Sequence, residues 1–97
     1  MNLLFLCKRR PQNRDLLTRP YGRFHYLPLH LAAMGMNVRV ALLDYAPRWI
    51  PAPPLTRDRV TWHCGRPAGA DGYRRLLRQL VAEQPPDWII GFSDTWF

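Results

Sequence analysis

Leu27–Tyr45, LPLHLAAMGMNVRVALLDY, decides the fold. Leu27, Leu31, Ala32 and Met34 recur at roughly helical spacing, and Gly35 stands where a helix ends in a left-handed cap. Asn37 to Tyr45 is apolar and β-branched, the composition of a strand, and it closes on an Asp-Tyr pair. A helix, one glycine and then a strand is the second half of a parallel crossover unit, which requires a further strand before the helix.

Upstream, Leu3 to Cys7 is an unbroken apolar run, the pattern of a strand covered on both faces of a parallel sheet. A loop of about 15 residues, long for such a connection, leads from it to Phe24 and the first helix. Pro28 complicates that helix, which either begins near Leu27 or kinks there. Downstream, Ala46 to Asp58 holds four prolines and reads as a stiff, partly polyproline-like connection. Val60 to Cys64 is a short third strand. Asp71 caps a helix from Gly72 to Gln84, with a stripe of Tyr73, Leu76, Leu77, Leu80 and Val81. Pro85 and Pro86 end it, and Asp87 to Phe92 is strand four.

These elements predict one α/β domain over residues 1–97: a Rossmann-like, three-layer half domain with a mostly parallel four-stranded sheet. Right-handed crossovers favour the strand order 3-2-1-4. Strand three is the weak point, because its connection lacks a helix and it could pair antiparallel at an edge.

The formal charge of +7 comes from 14 basic against seven acidic residues, 13 of the 14 being arginine. Such a surface attracts anions: nucleic acid, phosphorylated small molecules or an anionic membrane face. Two distant cysteines, Cys7 and Cys64, read as free thiols in a reducing compartment. His25 and His30, about 140° apart on a helix, do not share a face as metal ligands would, so no metal site is expected. The N-terminal apolar run is too short for a signal-peptide core and nothing approaches membrane-spanning length. The chain reads as cytoplasmic, with peripheral membrane contact left open.

Open parallel sheets bind ligands outside the carboxyl ends of their strands, where the strand order reverses. That position falls to Lys8, Arg9 and Arg10 after strand one and to Ser93 and Asp94 after strand four, with Asp44, Tyr45, His63, Cys64 and Gly65 following the other strands. The loop after strand one holds a single glycine, Gly22, so the glycine-rich cradle of dinucleotide-binding domains and the P-loop are both missing and no cofactor is expected. Gly22, flanked by Arg19 and Arg23, either lets an anion approach the free amides of a helix start or serves only the turn. Asp94 reads as a helix cap or as a contact to a sugar hydroxyl. Arg74, Arg75 and Arg78 read most simply as a solvated helix face.

Together, LLFLCKRR (Leu3–Arg10), YGRF (Tyr21–Phe24), LPLHLAAMGMNVRVALLDY, VTWHC (Val60–Cys64) and PPDWIIGFSD (Pro85–Asp94) resemble the N-terminal domain of family 4 retaining glycosyltransferases, which have the two-domain GT-B fold. The resemblance implies that this chain is the acceptor-side part of an enzyme that moves a sugar from a nucleotide-sugar donor to a sugar or lipid-linked acceptor without a metal. It further implies that a C-terminal domain, missing here, binds the donor, and that the 97 residues alone are inactive. By position, Lys8, Arg9, Arg10 and Gly22 would face donor phosphate or a charged acceptor, and His63 and Asp94 the acceptor. Lys-Arg-Arg stands where many members have a glycine-rich turn. Two rival readings are a basic nucleic-acid-binding module, although no specific nucleic-acid motif is present, and a scaffold that completes its sheet against another chain.

Overall fold

Continuous apolar runs form strands only where both faces are covered, and the computed structural model, which describes residues 1–10, 15–17, 22–44, 54–65 and 70–92, shows how that cover is arranged. β1 is Asn2–Lys8, α1 Gly22–Ala33, β2 Asn37–Leu43, β3 Leu55–Arg57, β4 Val60–Cys64, α2 Ala70–Glu83 and β5 Trp88–Gly91. The sheet order is β3-β4-β2-β1-β5. β1 pairs parallel with β2 and β5, and β2 parallel with β4, while β3 alone runs antiparallel, against β4.

The two faces bury different sets. Leu3, Phe5, Cys7, Val38, Val40, Leu42, Val60 and Trp62 pack with Phe24 and Ala32 of α1. Leu4, Leu6, Ala41 and Leu43 pack with Tyr73 and Leu80 of α2. A helix on each face makes the three-layer α/β arrangement, as expected for right-handed crossovers.

Five strands replace the four expected, so both count and order differ from 3-2-1-4. The sheet segments read from the sequence lie side by side as β4-β2-β1-β5, and the difference is β3. Val60–Cys64 is therefore not an antiparallel edge: it is an interior strand parallel to β2, and Leu55–Arg57 takes the edge. The turn that joins β3 to β4 puts Asp58 and Arg59 at φ 52° and 69°, the double left-handed geometry of a tight hairpin. The sequence assigned Leu55–Arg57 to the proline-rich connection because no Asn-Gly or Asp-Gly pair signals that turn.

Helix α1 runs through Pro28, which is buried, rather than starting at Leu27. It ends as the sequence indicates. Gly35 has φ 93°, its N–H donates to Ala32 O at 3.0 Å, and the Met36 N–H reaches Leu31 O at 3.3 Å. This is the two-bond Schellman closure. Helix α2 begins at Ala70, so Asp71 lies inside its first turn, paired with Arg74 at 3.3 Å, and not at the cap.

The last turn of α2 carries no basic residue. The cation that a helix C-terminus favours comes instead from β2. Arg39, 8% exposed, donates to Leu80 O at 2.7 Å and to Gln84 O at 2.6 Å, fastening α2 to the sheet just before Pro85 and Pro86. Burial pulls the Arg39 pKa below its ordinary value, an effect that the Glu83 carboxylate partly offsets. Hydrogen bonds from a charged donor contribute about 1.5–3 kcal/mol. Arg39→Met should therefore lower unfolding free energy by about 2 kcal/mol in urea titrations; an unchanged midpoint would remove this role for Arg39.

Candidate functional site

At the carboxyl end of β1 the chain turns basic, and the structure folds the first arginine inward. The Arg9 N–H donates to Leu43 O at 2.9 Å, which keeps the backbone beside β2, and the residue is only 3% exposed. Its guanidinium forks onto Asp15, with Nε to Oδ1 at 3.3 Å and Nη2 to Oδ2 at 3.2 Å. Nη1 donates to Asp44 Oδ2 at 3.1 Å and lies 3.9 Å from Cys64 Sγ. Arg10 Nη1 donates to the second Asp44 oxygen, and Arg10 Nη2 is 3.8 Å from Asp15.

Two guanidiniums thus meet two carboxylates. The Asp44 side chain is fully buried and that of Arg10 is 20% exposed. A lone carboxylate at the Asp44 position would carry a desolvation cost of several kcal/mol, and the arginines offset it. Asp15 also accepts the Leu17 N–H at 2.9 Å, and Arg9 O accepts the Leu16 N–H at 2.9 Å, so the loop after β1 bends back onto the cluster and seats Leu16 in the core. Burial works against the Arg9 charge, yet the hydrogen bond and charge of Asp15, helped by Asp44, hold its pKa above the ordinary value. Burial pushes the Cys64 thiol up, with Asp44 adding to the rise and Arg9 and Arg10 opposing it. A protonated, buried thiol is a weak nucleophile.

Beside this cluster, between the end of β4 and helix α2, lies a cleft of about 270 Å³. At its base Gly65 lets the end of β4 touch α2: a Cβ there would sit 2.8 Å from Gly72 C and Tyr73 N. Tyr73 adds a hydroxyl donation to Ala41 O at 3.3 Å, locking the start of α2 to β2. His63, Arg75 and Gln79 supply polar groups to the cleft, and Leu76 and Pro54 supply apolar walls. Burial lowers the His63 pKa, Arg39 lowers it further and Glu83 opposes, so the imidazole is neutral at pH 7 and offers one donor and one acceptor. Arg75 and Gln79 are exposed, one turn apart on α2.

The residues singled out from sequence divide as follows. His63 lines the cleft, and Lys8, the last residue of β1, belongs by strand alternation to the same α2 face, with β2 between them. Arg9 and Arg10 are engaged by carboxylates. Gly22 is exposed and opens α1 at φ 64°, a backbone geometry that calls for glycine. Arg23 follows it in the helix, its side chain outside the described part of the structure. Ser93 and Asp94, as well as Tyr45, also lie outside the described residues.

Sequence reasoning missed Asp15, whose partner Arg9 is visible only after folding, and the cleft-facing role of Arg75 and Gln79. Their one available signal was the spacing of four residues beside Leu76. Among the described residues no three His, Cys, Asp or Glu side chains gather to hold a metal ion, and no helix is long and apolar enough to cross a membrane. No family model, curated protein or solved structure matches this chain.

His25 shares the direction of the His63 shift. It is 5% exposed, stacked on Trp62 with ring centroids 5.2 Å apart, and its pKa is lowered by burial and by Arg57 against the pull of Asp58. Both imidazoles therefore take up protons more readily in the unfolded chain, whose ordinary value is 6.5. Stability must fall as pH drops below that value. The thermal midpoint should be lower at pH 5.5 than at pH 7.5, and His25→Phe should flatten part of the slope; a midpoint that is constant or rises on acidification would contradict this.

Proposed function

We propose that this chain is the acceptor-side half of a GT-B-type glycosyltransferase and that it holds a phosphorylated sugar-like ligand in the cleft between β4 and α2. The observation that carries the reading is the cleft's position and chemistry. It opens at the carboxyl end of β4, with β2 between it and the β1–β5 switch, and combines a cation, a neutral imidazole and a carboxamide with an apolar wall. Arg75 suits a phosphate oxygen. His63 and Gln79 suit hydroxyl groups, each offering both donor and acceptor.

In this reading Lys8 adds positive potential at the neighbouring strand end, and Arg9 and Arg10, paired with Asp44 and Asp15, position that end rather than meeting the ligand. A nucleotide-sugar donor would be held by a second domain, with transfer in the space between the two. Orientation and exclusion of water contribute much of the rate in such a transfer, so turnover requires both domains.

Titration of the ¹⁵N-labelled chain with a hexose phosphate tests this. The amides of His63, Arg75 and Gln79 should shift together with millimolar affinity, and Arg75→Ala should weaken binding about tenfold, as loss of one charged hydrogen bond does. Inorganic phosphate and the unphosphorylated hexose serve as comparison ligands and should each bind more weakly. Absence of shifts in the cleft, or equal binding of inorganic phosphate, would contradict the proposal.

A further inference from the structure

His63 and Arg75 line the same cleft, and neither makes a hydrogen bond or ion pair with another of the described residues. Polar groups shielded by a protein are ordinarily partnered within it, and neighbouring groups here do have partners. Arg39 is held by Leu80 O and Gln84 O, Glu83 accepts from Gln79 Nε2 at 2.8 Å, Tyr73 donates to Ala41 O, and the Thr61 hydroxyl lies 3.1 Å from that of Thr56. His63 is half-buried, and its ring nitrogens are not among the sealed polar atoms of the fold. An imidazole and a guanidinium thus face one cleft with their polar atoms uncommitted.

The charges around His63 come from each element packed against it. On β2, Ala41 pairs with His63 and Arg39 lies two residues earlier on the same face. Helix α2 contributes Arg75 and Glu83, and Lys8 ends β1 one strand beyond β2. On β4 itself Cys64 follows, its thiol against Arg9. Burial and Arg39 hold the imidazole neutral, with Glu83 opposing them. A second cation beside Arg75 is therefore disfavoured until an anion enters the cleft.

We propose that the cleft takes up a proton together with its ligand: His63 becomes an imidazolium as a phosphate ester seats, so that the ester is held between two cations, His63 and Arg75. This inference rests on the phosphate-ester reading of the cleft. One proton passes from solvent to a ring nitrogen of His63, and no covalent bond to the ligand forms or breaks. A phosphate monoester carries a charge of about −1.5 to −2 near pH 7, and an opposite charge within about 4–6 Å favours the ionised imidazole. Neutral His63 offers one donor and its imidazolium two, each strengthened by the charge. The bound state holds more protons than the free one, so affinity rises as pH falls through neutrality. A sulfate ester has the same tetrahedral shape with a single charge and draws the proton less strongly. The cleft thereby prefers a dianion to a monoanion.

Titration with a hexose 6-phosphate at pH 6.5 and at pH 8, followed through the amides of Arg75 and Gln79 and the carbon-bound ring protons of His63, tests this. Affinity should be about fivefold tighter at pH 6.5, and saturating ligand should move the His63 ring titration to higher pH. A hexose 6-sulfate should bind more weakly and move that titration less. His63→Gln should lose the difference between the two pH values, whereas His30→Gln, exposed on α1, should keep it. Equal affinity at both pH values, or a His63 ring titration unmoved by saturating ligand, would overturn this inference and leave the reading of the ligand standing; no binding at either pH would overturn both.

Discussion

A fully buried carboxylate, Asp44 at the end of β2, constrains the carboxyl edge of this sheet more than any other group. It is tolerable in a dry site only with a cation beside it, and Arg9 and Arg10 meet that need from the end of β1. The same two guanidiniums reach Asp15, so the ends of two strands and the loop that leaves the first are joined in one ionic cluster. Leu16 enters the core as a result, and the Cys64 thiol, pushed up by burial, lies against Arg9.

This use of arginine recurs. Arg39 closes the C-terminus of α2, and Arg57 donates to Leu17 O at 3.1 Å, tying the edge hairpin to the loop after β1. Four of the 13 arginines therefore serve internal carbonyls and carboxylates. A high positive charge had suggested a surface made for anions, but part of it is consumed in fastening elements together. Arg75 is outside this set and lines the cleft between α2 and the end of β4, where Gly65 allows the two backbones to meet.

The parts of the fold legible in the sequence were those with a local physical signature. Leu3–Cys7 of β1 is an unbroken apolar run, and β2 is broken only by Arg39, because both faces of a central parallel strand are covered, and Gly35 marks the end of α1 because its φ suits no other residue as well. β3 was not legible, since three residues amid prolines are defined by their pairing with β4 and by a turn through Asp58 and Arg59. The start of α2 was misplaced because Asp71, a good capping residue, sits one turn position too far in. Of the residues that line the cleft, His63 was among those singled out from the sequence, whereas the position expected for a ligand was the switch between β1 and β5, where Ser93 and Asp94 lie outside the described residues. The inward turn of Arg9 was not legible: its partner Asp44 is 35 residues away, and no local pattern distinguishes an arginine aimed at solvent from one aimed at a buried aspartate.

A double-mutant cycle on Arg9 and Asp44, with Arg9→Met, Asp44→Leu and the combined variant compared by urea unfolding, tests the ionic cluster most directly. Arg10 and Asp15 remain to neutralise each other in the double variant. Each single change should be strongly destabilising, and the pair should lose much less than the sum, with a coupling energy of about 2–3 kcal/mol. Additive losses, with coupling below about 0.5 kcal/mol, would contradict a structure organised around this buried pair.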